Sequence, residues 1–455
     1  MGITDVLALL GGLALFLYGM QMMSTGLEAA AGNRMKSILE KLTSNRVKGV
    51  LVGAAITAVI QSSSATTVMV VGFVNSGLMT LKQAVWVIMG ANIGTTITGQ
   101  LIALDIGAIA PLFAIAGVGA IMFIKSEKVH HISSIFAGLG ILFMGMDMMG
   151  AAMSPLKESE AFISLMTKFD NPLLGILVGA LFTAVIQSSS ASVGILQALS
   201  VTGAFTYGSV IPIIMGQNIG TCVTAMISAI GANRGAKRTA FVHLYFNVIG
   251  TILFLVLFYT GNALIGFEFT NEVVGAAGIA MIHTIFNVFA TLVLLPFTKG
   301  LEKLAYLTIP KTAEEQNQKE DVFVILDDRF LSSPAFAIEQ CHSLANQMAK
   351  ITHEGFLEAM TVLDEYSEEK IEDVIAKENI VDTYDDKLSA YLTKLSSQNL
   401  SYKDSLKVTS LLHCLTDFER ISDHSINVVE NAQQMYKEGA VFSKKAKEEM
   451  KVYST

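Results

Sequence analysis

Gln61-Ser62-Ser63-Ser64-Ala65, followed by Gly90-Ala91-Asn92-Ile93-Gly94-Thr95, returns 126 residues later as Gln187-Ser188-Ser189-Ser190-Ala191 and Gly216-Gln217-Asn218-Ile219-Gly220-Thr221. Laid over one another without a gap, 24 of the 50 positions from Gly49 to Thr98 are identical to those from Gly175 to Thr224. The likeness reaches further back: Gly12, Leu13, Gly19, Met20, Met22 and Met23 pair with Gly138, Leu139, Gly145, Met146, Met148 and Met149. A polar motif that occurs twice inside apolar sequence is the pattern expected where two membrane repeats meet around a substrate site.

Composition agrees with a membrane setting. The 455 residues are 52 % hydrophobic and 15 % charged, with a mean hydropathy of +0.53. Up to Lys303 there are 15 Lys and Arg against 12 Asp and Glu, whereas from Leu304 onward the numbers are 16 and 27. An apolar membrane part is therefore followed by an acidic soluble part. The net charge of -8 and the lack of a basic run argue against a nucleic-acid partner. Cys222, Cys341 and Cys414 fit no zinc spacing and suit a reducing compartment. The first residues lack a basic leader region and a small-residue cleavage site, so the opening apolar run reads as a retained helix.

Segments long enough to cross a ~30 Å hydrocarbon core are expected at 5–27, 82–103, 106–124, 133–152, 207–230, 239–260 and 273–297. The motif stretches 49–77 and 175–203 are too long for one crossing and too short for two. Each reads as a re-entrant hairpin of two half-helices with the Gln and serines at its tip, since irregular backbone at that depth must be buried or line a cavity. A repeat is then a helix, a hairpin and a spanning helix, with 106–124 as an extra crossing. Three crossings separate equivalent points, so the second repeat should be inverted.

With the N-terminus outside, the inner face carries Arg34, Lys36, Lys41, Arg46, Lys48, Lys82, Lys125, Lys128, Arg234, Lys237, Arg238, Lys299 and Lys303, and the outer face only Lys157 and Lys168. That imbalance follows the positive-inside rule. The expected organisation is repeat 1 over 1–126, repeat 2 with two further spans over 127–303, a linker over 304–333 that includes polar Lys311 to Glu320, and a cytoplasmic helical domain over 334–455. Amphipathic patterns place its helices at 334–365, 367–396 and 402–437. Helical character persists to about Lys451, which reads as a bundle cut short.

A hairpin tip offers unsatisfied carbonyls from the half-helix that ends there and unsatisfied N–H groups from the one that begins. Carbonyls suit a small cation; N–H groups beside serine hydroxyls suit an anion. Two glycines in five residues at Gly90/Gly94 and at Gly216/Gly220 suggest local unwinding that frees more carbonyls beside Asn92 and Asn218. Between the repeats no Lys or Arg lies inside a membrane segment, and the only carboxylates, Asp105 and Asp147, fall near segment ends. A bound anion would need helix ends, hydroxyls and accompanying cations to balance it. His243 with Asn247 and His283 with Asn287 form a smaller His-x-x-Phe-Asn repeat in the last two spans, for which an interhelical hydrogen-bond network is expected. No Gly-x-Ser-x-Gly is present, which disfavours a serine hydrolase.

Gln187 to Ala191 together with Ile211-Pro212-Ile213-Ile214-Met215-Gly216-Gln217-Asn218-Ile219-Gly220-Thr221 resembles the signature of type II sodium-dependent phosphate cotransporters. The first copy departs from it, with Val85, Trp86 and Val87 where Ile, Pro and Ile are common. The resemblance, over Met1 to about Lys303, implies inorganic phosphate as substrate, Na+ as coupling ion and alternating access. Carried onto this sequence, it makes Ser62, Ser63, Ser64, Ser188, Ser189, Ser190, Asn92 and Asn218 phosphate ligands, and Gln61, Gln187, Thr66, Ser192, Thr95 and Thr221 sodium ligands. Glu378-Asn379-Ile380-Val381-Asp382 and Glu419-Arg420-Ile421-Ser422-Asp423, followed by His424, resemble the acidic signatures of PhoU-type helical domains. That likeness implies a link to phosphate regulation and metal binding by Glu378, Asp382, Glu419 and Asp423.

The expectation is thus an all-α polytopic membrane protein with two inverted repeats and a soluble helical bundle. It is a carrier and not an enzyme, importing phosphate with Na+ across a prokaryotic cell membrane, with no cofactor for chemistry. A carrier of another small anion, or a membrane-anchored phosphate sensor, are the alternatives. A homo-oligomer is compatible with the sequence.

Overall fold

The computed structural model describes residues 2–31, 45–104, 106–155, 171–312, 322–332, 334–398, 400–443, 445–446 and 448–449. Arg34, Lys36, Lys41, Asp105, Lys157, Lys168 and most of the stretch 311–320 lie outside the described residues. The described chain is helical almost throughout, and its one β feature is an isolated antiparallel bridge between Thr206 and Val273. It divides into two compact units, Met1–Asp321 and Val322–Thr455.

The first unit runs α1 (Ile3–Ala31), α2 (Arg46–Ile60), α3 (Ser63–Asn75), α4 (Leu81–Ile102), α5 (Ala110–Phe123) and α6 (Glu127–Met153). It continues with α7 (Pro172–Ile186), α8 (Ser189–Ser200), α9 (Tyr207–Ser228), α10 (Arg234–Ile265), α11 (Ala276–Leu294) and α12 (Thr298–Thr308). Shifted by 126 residues, α1 to α4 recur as α6 to α9, caps included. Thr80 and Thr206 each open their helix with a capping box, closed by Gln83 and Ser209. Asn45 and Asn171 cap α2 and α7.

Among the described residues six helices are long and apolar enough to cross a membrane: Ile3–Leu27, Leu81–Ile102, Lys128–Met153, Tyr207–Ser228, Arg234–Ile265 and Ala276–Thr308. This is one fewer than the sequence suggested. Residues 106–124 spend Gly107–Ile109 on a 3-10 turn, and the α-helix starts only with Pro111 in its first turn, leaving 14 residues. At 1.5 Å per residue that is about 21 Å.

Glycine decides how closely these helices approach. A Cβ on Gly19 would lie 2.6 Å from the carbonyl oxygen of Gly138, and one on Gly12 would lie 2.8 Å from that of Gly145. Because the lower-numbered glycine of α1 meets the higher-numbered one of α6, the two helices pack antiparallel. Each glycine faces the counterpart of the other's repeat mate, as a two-fold relation requires.

The glycines of the second motif element do the same work, which corrects the expectation of unwinding. Helices α4 and α9 are continuous through Gly90-Thr95 and Gly216-Thr221. A Cβ on Gly90 would stand 2.0 Å from the Val50 oxygen, and one on Gly216 would stand 2.1 Å from the Ile176 oxygen. Small residues here bring α4 against α2 and α9 against α7, backbone to backbone, as small-residue faces do in membranes.

The second unit has two 3-10 turns, Val322–Ile325 and Asp328–Ser332, ahead of α13 (Pro334–Asp364), α14 (Glu368–Ser396) and α15 (Tyr402–Glu438). Each helix ends within a residue of its expected bounds. Ala359, Val362, Ile371, Val374, Val429 and Ala432 form part of its core. The expected linker over 304–333 is thus shorter in practice: α12 reaches Thr308, and Phe330 and the Asp327 carbonyl pack into the bundle, the latter accepting from Tyr391 Oη at 2.8 Å.

Candidate functional site

Where the sequence reads Gln-Ser-Ser-Ser, the chain ends one helix and starts another within two residues. Gln61 and Gln187 both adopt φ 59 and ψ 21 and are the non-glycine residues of positive φ among those described. A side chain in this left-handed well is strained, and such strain persists only where its surroundings enforce it. The next residue is extended and becomes an N-cap: Ser62 Oγ accepts from Ala65 N at 3.1 Å, and Ser188 Oγ from Ala191 N at 3.2 Å. The chain then folds back on itself. Thr57 Oγ1 donates to Thr66 Oγ1 at 3.0 Å, and Thr183 Oγ1 to Ser192 Oγ at 2.8 Å, although nine residues of unbroken helix would span about 13 Å.

The two tips meet. Ser63 Oγ lies 3.3 Å from Ser189 Oγ, and Ser64 Oγ donates to the Gln187 carbonyl at 3.2 Å. Ser190 Oγ donates to Thr98 Oγ1 at 3.4 Å, which donates to Gln61 Oε1 at 2.8 Å. Gln61 Nε2 donates back to the Ala58 carbonyl, and Ser24 of α1 donates to the Ile60 carbonyl at the end of α2. Since the first N–H groups of a helix have no partner within it, the Ser63–Ser189 contact brings together the positive ends of α3 and α8 with the hydroxyls beside them. This is an arrangement suited to a small oxyanion.

A family can now be set beside this geometry. Residues 15–151 and 153–275 match the Na+/Pi-cotransporter family. The chain belongs to that family. Residues 345–432 of this cotransporter-family chain match the PhoU domain. It is 32 % identical over 297 residues to the uncharacterized protein YqeW of Bacillus subtilis, covering 65 % of the chain and 95 % of YqeW. It is 23 % identical over 424 residues to the "Putative inorganic phosphate export protein YjbB" of Escherichia coli, covering 92 % of the chain and 76 % of YjbB. Human sodium-dependent phosphate transport protein 2B is 36 % identical over 105 residues, 23 % of the chain and 15 % of that protein. No solved structure matches the chain.

The remaining site residues of this cotransporter-family member fall into two groups. Thr66 and Ser192 sit one turn inside the tips and are bonded there. Asn92, Thr95, Asn218 and Thr221 are buried in α4 and α9, and no hydrogen bond joins them to the tip residues among those described. Asn218 Nδ2 donates to the Ile214 carbonyl at 2.9 Å and Thr221 Oγ1 to that of Gln217 at 3.0 Å. Asn92 Nδ2 and Thr95 Oγ1 have no partner among the described residues. Thr57, Thr98 and Thr183 were not singled out by sequence, although Thr57/Thr183 and Thr98/Thr224 are identical pairs at the 126-residue offset. Gln217, which ties α9 to the Ser192 carbonyl at 3.2 Å, had no such signal because its equivalent is Ala91.

Of the two His-x-x-Phe-Asn turns, His243/Asn247 joins an interhelical network as expected, and both also bond within their own helix. Each Asn amide donates to the carbonyl of the His one turn earlier in its own helix, at 3.0 Å for Asn247 and 2.8 Å for Asn287. Spacing by four puts that carbonyl directly beneath the amide, so the local bond wins. The first turn also reaches another helix: Asn247 Nδ2 donates to Cys222 Sγ, 3.4 Å away, and Cys222 Sγ donates to the His243 carbonyl at 3.5 Å.

In the second unit Glu378, Asp382 and Asp423 each place a carboxylate oxygen within 4.8 Å of the others. Glu419 stands close enough to raise the Glu378 pKa electrostatically. Burial first, and then mutual repulsion, pushes the carboxyls of Glu378, Asp382 and Glu419 above their ordinary range.

Proposed function

We propose that this chain is a sodium-coupled secondary active transporter of inorganic phosphate in a prokaryotic cell membrane. The observation that carries the reading is the 3.3 Å contact between Ser63 and Ser189, which merges two helix N-termini and their hydroxyls into one site. Phosphate binds to Ser63, Ser64, Ser189 and Ser190 and their N–H groups, with Ser62 and Ser188 holding the helix starts that aim them. Asn92 and Asn218 belong to the same binding region. Na+ is held by Gln61, Gln187, Thr66, Ser192, Thr95 and Thr221 and by carbonyls at the ends of α2 and α7, where it balances the anion. Family membership and the sodium-dependent relative support this pairing of ions.

The helix breaks are re-entrant tips, and the repeats have inverted topology, with the N-terminus outside and the second unit in the cytoplasm. The antiparallel glycine contacts of α1 and α6 and the fold-back at Thr57 and Thr66 support this. The second unit regulates transport in response to phosphate, and Glu378, Asp382, Glu419 and Asp423 hold a divalent cation there. Three carboxylates within reach of one ion suit a hard cation, and Glu378 and Asp382 among them are disfavoured in their charged form.

Import along the Na+ gradient is the primary direction. Export is a second reading, favoured by the name of the YjbB relative. Labelled phosphate flux in proteoliposomes, with the Na+ gradient set in either direction, tests both. Flux that follows the inward gradient supports import, and flux that runs outward regardless of it supports export. Competition by sulfate and dicarboxylates separates phosphate from other anions, and an absence of counterflow would mark a sensor.

A further inference from the structure

Identical tips are held in different ways. In the first repeat, Thr98 Oγ1 donates to Gln61 Oε1 at 2.8 Å, and Gln61 is 5 % exposed. The equivalents at the 126-residue offset are Thr224 and Gln187. There the bond is absent: Gln187 is exposed, and Thr224 Oγ1 is buried with no partner among the described residues. The helix packing behind the tips is alike in both repeats, although Ser24, which holds the Ile60 carbonyl in the first, is Gly150 in the second. Helix α9 packs on α7 as α4 packs on α2, with a Cβ on Gly220 2.8 Å from Thr183 Cβ and one on Gly94 2.7 Å from Thr57 Cβ. The Gln backbones are the same, at φ 59 and ψ 21.

The serines break symmetry in step with the threonines. Ser190 of the second tip donates across to Thr98 at 3.4 Å, completing a relay Ser190 to Thr98 to Gln61. Its equivalent, Ser64, does not reach Thr224. It donates instead to the Gln187 carbonyl at 3.2 Å. One tip is locked with the help of the other's serine, and the other is left open.

We propose that Thr98 and Thr224 are positioning residues that lock Gln61 and Gln187 in alternation, and that exchanging these locks converts the site from one accessible face to the other. In the second state Ser64 donates to Thr224, Thr224 donates to Gln187 Oε1, and Gln61 is released. A buried hydroxyl without a partner is costly, so Thr224 favours the exchanged state as Thr98 favours the present one. Because the four residues are two copies of one pair, the two states have similar energies, as a carrier that must visit both requires. This rests on the transport reading above.

The test removes one hydroxyl at a time. Thr98→Val should shift the ratio of half-saturating phosphate concentrations at the two faces of proteoliposomes by roughly 2- to 10-fold, the loss of one buried hydrogen bond. Thr224→Val should shift it the opposite way, Thr98→Val/Thr224→Val should bring it back toward the wild-type ratio, and Thr98→Ser should leave it near wild type. Two single variants that move the ratio the same way, or leave it fixed while transport falls, overturn the proposal. Amide hydrogen exchange in detergent judges the lock without transport: residues 184–192 should exchange faster than 58–66, and Thr98→Val should bring 58–66 up to match. If the wild-type protein moves no phosphate but shows this exchange pattern, the transport reading fails and takes the alternation with it, while the Thr98–Gln61 lock itself stands. If it transports and the two segments exchange alike, the lock fails alone.

Discussion

On the proposed function, the serine tips of the first unit and the acidic faces of the second are opposite solutions to holding an ion. At the tips no charged side chain stands among the described residues: Ser63, Ser64, Ser189 and Ser190 offer hydroxyls and helix N–H groups, aimed by two strained glutamines. On the second unit Glu378, Asp382 and Asp423 are all charge, set on helix surfaces that water reaches. A site proposed to release phosphate on every cycle in a membrane does better with dipoles, because a fixed cation there would cost much to bury and would hold the anion too well. A carboxylate cluster in water carries no such cost.

The comparison breaks most decisively at the glutamines. Gln61→Ala or Gln187→Ala should abolish sodium-dependent phosphate uptake while circular dichroism shows the helices intact. Gln61→Gly sharpens this, because glycine suits φ 59 without strain yet lacks the amide. Uptake lost equally in both variants assigns the effect to the side chain. Uptake retained in both single alanine variants would sink the tip assignment.

Next comes the scaffold behind each site. A Cβ on Gly90 meets the Val50 oxygen at 2.0 Å, so Gly90→Ala must part α4 from α2 and should cost about 1–3 kcal/mol. Gly355→Ala in the second unit meets only the Lys377 side chain at 3.6 Å and should be neutral by thermal melting. Equal tolerance at both positions would mean that the tips do not depend on tight helix contact.

An effect of similar size is expected at the serines. Ser63→Ala or Ser189→Ala removes one donor to an anion, worth about 1.5–3 kcal/mol, so the KM for phosphate should rise roughly 10- to 100-fold with the maximal rate less affected. A change confined to the Na+ dependence would move these serines from the anion to the cation.

Much of this was legible because duplication marks what matters twice. Gln61/Gln187 and the three serines stood out by identity at one offset, and their meeting followed from the repeat. The helices of the second unit were read to within a residue, since Ser367 and Ser401 cap α14 and α15 and the apolar spacing is regular. Other features were hidden for physical reasons. Gly-x-x-x-Gly in a membrane helix means either unwinding or close packing, and only the neighbour at Val50 or Ile176 decides between them. Nothing local announces a left-handed Gln. The segment 106–124 is apolar enough to span, but Gly107 and Pro111 shorten its helix. Symmetry itself misled in one respect, because equal sequences do not show which copy, Thr98 or Thr224, has its partner.

The acidic cluster gives the smallest effect and the plainest sign. The pKa values of Glu378 and Asp382 are raised above 4.5 and 3.8, first by burial and then by repulsion from Asp423 and its neighbours. The folded unit therefore takes up protons more readily than the unfolded chain. Repulsion opposes folding at neutral pH and is relieved as pH falls toward the ordinary carboxylate range, so the second unit should gain stability on that descent before general acid unfolding begins. Millimolar Mg2+ or Mn2+ at neutral pH should do the same by supplying positive charge, with a rise in melting temperature below about 5 °C because the groups are largely solvated. Asp423→Asn should raise stability without the ion and abolish the response to it. If Asp423→Asn instead leaves the Mg2+ and Mn2+ responses intact, these carboxylates are solvated helix faces, and the contrast between a dipolar site and a charged one loses its second half.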